Sequence, residues 1–311
     1  MMRPLVGSAA GPRADLTQAI ASFLRGFSLE ATRPSAAEIA ALAEIAPAGT
    51  KVYVSAPPRR SETEALAAAI QLRAAGFEPV PHLAIRNFAT VALIDDFLAR
   101  MAGEAGVERL LVIAGDRDQP AGELRAAIDV IDGALLQRHG ILEIGLAGYP
   151  DGHPRIPQQE LDRALMEKIG AAEAIGLSIH IVTQFCFEPA ALLAWLGRLR
   201  DFGLEYPVRI GLAGPTSLAA LTRYARRCGV RVSVHNLARH AGLARQLFAM
   251  WTPGEFVSSV VEAQDKNHLG ELKLHFFAFG GLLQTARWAR AVAQGQITFE
   301  AGQGFKIKPT G

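Results

Sequence analysis

Short apolar runs alternate along this chain with longer stretches in which apolar residues recur every three or four positions, starting at about residue 27. The short runs, rich in Val, Ile and Leu, read as buried strands, and the 3.6-residue period reads as amphipathic helix. Strands are predicted at residues 27–32, 52–56, 79–85, 110–115, 144–149, 178–185, 208–214 and 274–279. Helices are predicted between them at 36–46, 61–75, 91–105, 123–138, 158–174, 189–202 and 217–228. Ser61 with Glu64 three positions on has the spacing of a capping box. Strict alternation implies parallel pairing. Eight strands predict an α/β fold closed as a (β/α)8 TIM barrel, with a doubly wound open sheet as the alternative. Residues 229–270 are too long for one crossover and predict extra helices between strands seven and eight, near 238–250 and 253–268. The tail after Gln296 reads as loosely ordered.

Composition adds limits rather than detail. A chain of 311 residues with 50% hydrophobic content buries a full core, and one barrel domain, at about 27–295 with short extensions, accounts for it. The formal net charge is +2, and no basic block or basic–aromatic interleaving occurs, so neither nucleic acid nor anionic membrane is expected as a partner. Two cysteines far apart, Cys186 and Cys228, give no disulfide framework or zinc site. No signal-peptide core or membrane-length apolar stretch is present, and a cytoplasmic protein is expected. A homo-oligomer is compatible with all of this.

Candidate chemistry gathers at the carboxyl ends of the predicted strands. Glu30 ends the first, Ser55 the second, His82 the third, Asp116 follows the fourth and Gln184 ends the sixth. The fifth runs into Ala147-Gly148-Tyr149-Pro150-Asp151-Gly152-His153-Pro154, which sets a phenol, a carboxylate and an imidazole in one loop. A barrel collects all of these on one rim, and stability alone favours apolar residues there, so the set points to a site. Each has a plainer role when taken singly. His82 reads as a hydrogen-bonded barrel histidine, Asp116 and His153 as helix caps, and Glu30 as a carboxylate paired with Arg33 or Arg59.

These segments resemble the methylenetetrahydrofolate reductase family. The octapeptide is similar to that family's Ala-x-Tyr-Pro-Glu-x-His-Pro, and Phe27-Ser28-Leu29-Glu30 to its Ser-Phe-Glu. Pro81-His82-Leu83 matches its Pro-His-Leu, and Gly115-Asp116 with Pro120-Ala121-Gly122 matches its Gly-Asp and Pro-x-Gly loop. Thr183-Gln184-Phe185-Cys186-Phe187-Glu188 and Leu274-His275-Phe276-Phe277 resemble two further motifs, in the family's order. The departures are Ala114 where the family has Arg, Phe279-Gly280-Gly281 in place of Leu-Asn-Arg, and Leu218 in place of a folate-stacking Phe.

The resemblance implies reduction of 5,10-methylenetetrahydrofolate by NADH or NADPH through bound FAD. It makes Glu30 the acid that opens the folate ring and Asp116 a partner of pterin and flavin. Gln184, Leu218 and Phe277 would hold the substrate. Ser55, His82, Ala114, Gly115, Tyr149, Asp151, His153, Asp162 and Lys168 would surround the flavin. Three other readings stand beside it: direct hydride transfer without flavin, a non-catalytic folate-binding relative, and a flavoenzyme resembling proline dehydrogenase. The Tyr-Pro-Asp-Gly-His-Pro and Thr-Gln-Phe segments argue against the last.

Overall fold

The computed structural model describes residues 12–58, 61–131, 134–228, 250–264, 266–279, 281–299 and 304–309. Its barrel strands are β1 (Ser28–Ala31), β2 (Lys51–Val54), β3 (Glu78–Ala84), β4 (Arg109–Ile113), β5 (Glu143–Gly148), β6 (Ser178–Thr183), β7 (Val208–Ala213) and β10 (Leu272–Phe277). They close in the order β1-β10-β7-β6-β5-β4-β3-β2, so the closed barrel is observed and the open sheet is excluded. Every pairing is parallel, and β1 meets β10 with Ser28 opposite His275 and Glu30 opposite Phe277.

The helices that follow the strands are α2 (Ala36–Ala43), α3 (Glu62–Ala74), α4 (Val91–Ala105), α7 (Gln158–Ala174), α8 (Pro189–Asp201) and α9 (Leu218–Cys228). Local chemistry sets their ends. Ser35 and Glu38 form a complete capping box on α2. Ser61 accepts the Glu64 amide on α3, while the Glu64 carboxylate pairs with Arg33. Outward strand residues such as Leu29, Val52, Leu110, Ile144, Ile181, Ile210 and Leu274 form one core with the helices. Inside the barrel a separate small cluster, Tyr53, Val80, Leu111 and Val182, fills the centre.

Several expectations need correction. The helix expected at 123–138 is two short turns, α5 (Ile128–Ile131) and α6 (Leu135–Arg138). The Asp129 carboxylate takes the Arg125 and Ala126 amides and so closes a turn where the helix was expected to run. Two helices were not anticipated: α1 (Pro12–Leu24), and α11 (Leu282–Ala293), which completes the last β/α unit. Between β7 and β10 the described residues form, besides α9, a two-residue antiparallel ribbon, β8 (Thr216–Ser217) with β9 (Met250–Trp251), and the helix α10 (Gly254–Gln264), where a helix was expected at 253–268. The helix expected at 238–250 lies outside the described residues except for Met250, which is in β9. The described part of the tail forms a hairpin where it was expected to be loose: β11 (Ile297–Phe299) pairs with β12 (Phe305–Ile307). Phe305 is buried and stacks on Trp288, which supplies the apolar contact that fixes the hairpin.

Candidate active site

Glu30 closes β1 with its side chain turned into the barrel. Its Oε2 lies 3.5 Å from His82 Nε2 on β3 and 3.5 Å from His275 Nε2 on β10. Arg33, one expected partner, pairs instead with Glu64, and Arg59 lies outside the described residues. Burial raises the Glu30 pKa, His82 opposes the rise and Asp116 adds to it. The carboxyl is therefore disposed to hold a proton where an exposed glutamate would not.

Below this rim the barrel interior is polar. The Tyr53 hydroxyl donates to His180 Nε2 at 2.7 Å, and His180 Nδ1 lies 2.7 Å from Glu143 Oε1. Glu143 also takes Arg109 at 2.6 Å, and Arg109 reaches Glu78, itself paired with Arg73. The His180 contact and Arg109 hold the Glu143 carboxyl down at about 2. On the opposite wall His275 Nδ1 lies 3.0 Å from Ser28 Oγ, which also accepts from Arg209 at 3.3 Å. Tyr53 sits between the histidines, with its ring edge-on to His82, His180 and His275. Sequence reasoning assigned no role to Tyr53, His180 or Ser28 and none to His275. A signal was present. Tyr53, Ser28 and His275 each stand two positions before an assigned residue (Ser55, Glu30 and Phe277), and His180 stands four before Gln184, hence on the same inward face.

The remaining predicted residues fall into three groups. The first stands on the rim. Ser55 donates to Thr32, and Asp116 lies close enough to raise the pKa of both Glu30 and Tyr149. The Tyr149 ring meets the His153 ring edge-on at 5.5 Å. Asp151 receives the Phe187 amide, and burial followed by the charge of Glu188 raises it to about 6. Gln184 folds its Oε1 onto the Phe185 amide. Gly115 adopts φ +95°, and a Cβ there would press on Ala84 at 3.1 Å.

The second group is apolar. Phe277 packs with Phe185 and Phe279, Phe187 with Trp251, and Phe279 stacks on Tyr224 at 4.3 Å. Leu218 opens α9 partly buried. Aromatic rings from the segment after β6, from β9, from β10 and the residues after it, and from α9 thus form one wall.

The third group does not converge. Asp162 takes Gln158 within α7 and lines a groove with Trp195 and Arg198 of α8. Lys168, six positions on, is rotated by about 240° around the helix. Burial lowers the Lys168 pKa, and among the described residues it forms no ion pair. Arg86 binds the Ala114 carbonyl through its backbone amide, while its guanidinium holds the Arg117 and Arg125 carbonyls. It braces the loop after β4 and is not presented to a ligand. The charge-assisted grip that a dinucleotide diphosphate needs is not assembled by Ala114, Asp162 and Lys168.

A model of the methylenetetrahydrofolate reductase family matches residues 31–246. Methylenetetrahydrofolate reductase 2 of Saccharomyces cerevisiae is 27% identical over 174 residues, covering 53% of this chain and 28% of that protein. The 5,10-methylenetetrahydrofolate reductase of Pectobacterium carotovorum is 26% identical over 175 residues, 56% of this chain and 55% of that one. The chain thus spans about half the length or less of these curated relatives. Among solved structures, a protein from Clostridium thermocellum that binds two copies of 5-methyl-5,6,7,8-tetrahydrofolic acid matches with a TM-score of 0.55. It is 12% identical and the match covers 89% of this chain and 97% of that one, a likeness of fold. Because the family model covers most of the chain, and the motifs that resemble the family surround the rim just described, this chain belongs to the methylenetetrahydrofolate reductase family.

Proposed function

We propose that this chain reduces 5,10-methylenetetrahydrofolate to 5-methyltetrahydrofolate at the expense of NADH or NADPH. The observation that carries the reading is Glu30, a mostly buried carboxyl at a strand end, held between two imidazoles and disposed to keep its proton. Ring opening needs an acid. The methylene carbon bridges two nitrogens, and protonating the leaving one breaks its bond to that carbon and leaves an iminium on the other. Hydride then adds to the iminium carbon, and the Glu30 carboxylate recovers a proton from solvent. Asp116 favours the protonated acid by its charge. The aromatic wall offers stacking area to the pterin, and Gln184 offers an amide that both donates and accepts.

Bound flavin would supply a two-electron relay between nucleotide and folate. That Ala114, Asp162 and Lys168 assemble no diphosphate grip among the described residues favours a second reading, in which hydride passes directly from the nicotinamide to the iminium carbon.

One experiment addresses both. Purified protein is recorded for flavin absorbance, then assayed for 5-methyltetrahydrofolate formation with each nucleotide, with and without added FAD, alongside Glu30→Gln. Expected are little retained flavin, turnover by the wild type, and loss of folate reduction in Glu30→Gln with folate binding kept. Turnover unchanged in Glu30→Gln removes it as the acid, and absence of turnover under every condition overturns the reading. Stoichiometric flavin surviving dialysis refutes the weak grip.

A further inference from the structure

Glu30 and His275 face each other from adjacent parallel strands. His275 is fully buried, and its Nε2 and Glu30 Oε2 both lack a hydrogen-bond partner among the described residues. The other face of the imidazole is fixed. Nδ1 lies 3.0 Å from Ser28 Oγ, which lies 3.3 Å from Arg209 Nη1 and 3.3 Å from the Leu274 carbonyl.

Two of these partners have a fixed role, and the Ser28 hydrogen, for which the Leu274 carbonyl and His275 Nδ1 compete, selects the imidazole tautomer. A guanidinium only donates, and a backbone carbonyl only accepts. Ser28 has one hydrogen, and given to the Leu274 carbonyl it leaves two lone pairs, for Arg209 and for an N–H at Nδ1 of His275. A neutral imidazole carries one hydrogen, so Nε2 then presents a lone pair to Glu30. A lone pair repels a carboxylate and accepts from a carboxylic acid.

We propose that His275 is a positioning residue for Glu30: its bare Nε2 accepts the hydrogen of the Glu30 carboxyl and holds the acid in place at the barrel mouth. This rests on Glu30 being the proton donor of the proposed reaction. The surroundings agree with an uncharged pair. Burial, then Arg209 and His180, lowers the His275 pKa to about 3, so the ring stays neutral. The other groups facing the pair are Tyr53 on β2, His82 on β3, Asp116 after β4, His180 on β6 and Arg209 on β7. Of these, Asp116 favours the acid, and His82 opposes it.

Two substitutions separate the two nitrogens. His275→Asn sets an amide near the Nδ1 position and keeps the Ser28 contact but not the one to Glu30. His275→Gln reaches the Nε2 position and keeps the contact to Glu30. Infrared titration of the whole protein reads the Glu30 carboxylic C=O band, identified by its absence in Glu30→Gln, without need of turnover. The expected midpoint falls by about one pH unit in His275→Asn, the size of one lost hydrogen bond to the protonated form, and recovers in His275→Gln. In the unsubstituted protein, nitrogen NMR is expected to show the Nδ1–H tautomer of His275, a reading that stands even where a variant does not fold. An unmoved midpoint in His275→Asn, an equal fall in both variants, or an Nε2–H tautomer overturns the proposal. If the shifts appear in a protein that forms no 5-methyltetrahydrofolate, the reaction assignment fails and the pairing stands.

Discussion

Three carboxyls show how far immediate surroundings separate chemically similar groups. Glu143, beside His180 and Arg109, is held at about 2; Glu30 is raised by burial against the pull of His82; Asp151 is raised to about 6 by burial and by Glu188. Asp151 yields a prediction with a definite sign. Its folded pKa lies above the unfolded value of about 3.9, so its contribution is fully present below that value and is lost as pH rises to about 6. Asp151→Asn should therefore be more stable than the parent by about 1–3 kcal/mol at pH 8 and equal to it near pH 4, a range that discounts for its partial exposure. Urea unfolding at the two pH values checks this. An equal effect at both would mean that the change acts through packing and not through charge.

At the scale of the element, two glycines let the polar interior exist. A Cβ on Gly145 of β5 would stand 2.7 Å from His180 Nε2, the atom that receives the Tyr53 hydroxyl. One on Gly211 of β7 would stand 2.3 Å from the Thr183 carbonyl. Gly145→Ala should cost about 1–3 kcal/mol by overpacking, because rigid strands on both sides leave the imidazole no room to retreat. Chemical denaturation measures the loss, and a variant as stable as the parent would show that His180 has another accessible position. The loop after β4 depends on a similar approach, since a Cβ on Gly122 would fall 1.9 Å from the Ala89 carbonyl.

Across the whole molecule, elements that flank the barrel strands in sequence are built into the barrel's outer layer. Helix α1 packs on α11, and the β11–β12 hairpin on α10 and α11. Phe305 is 2% exposed and stacks on Trp288 at 5.9 Å. Phe305→Ala should cost about 3–5 kcal/mol, as for other buried aromatics. A calorimetric melt reads it, and a melting temperature within error of the parent would mean the hairpin is held by its backbone alone. Among the described residues no helix is long and apolar enough to cross a membrane.

The sequence by itself determined the eight barrel strands, the helices from α2 to α9 apart from the broken α5–α6 segment, and the rim residues Glu30, His82, Asp116, Tyr149 and Gln184. Periodicity reports which face of an element is buried, and parallel strands bring their carboxyl ends together whatever their spacing in the chain. The sequence did not disclose α1, α11 or the terminal hairpin, whose order depends on contacts such as Phe305 with Trp288. Nor did it show that Asp162 and Lys168 diverge or that Arg86 is spent on carbonyls, because the direction of a side chain is set by what packs around it. The meeting of Glu30 with His275 was likewise decided only by the tertiary structure. The two residues are joined by the closure of β1 onto β10, and it is closure that removes water and turns their separation into a contact of 3.5 Å.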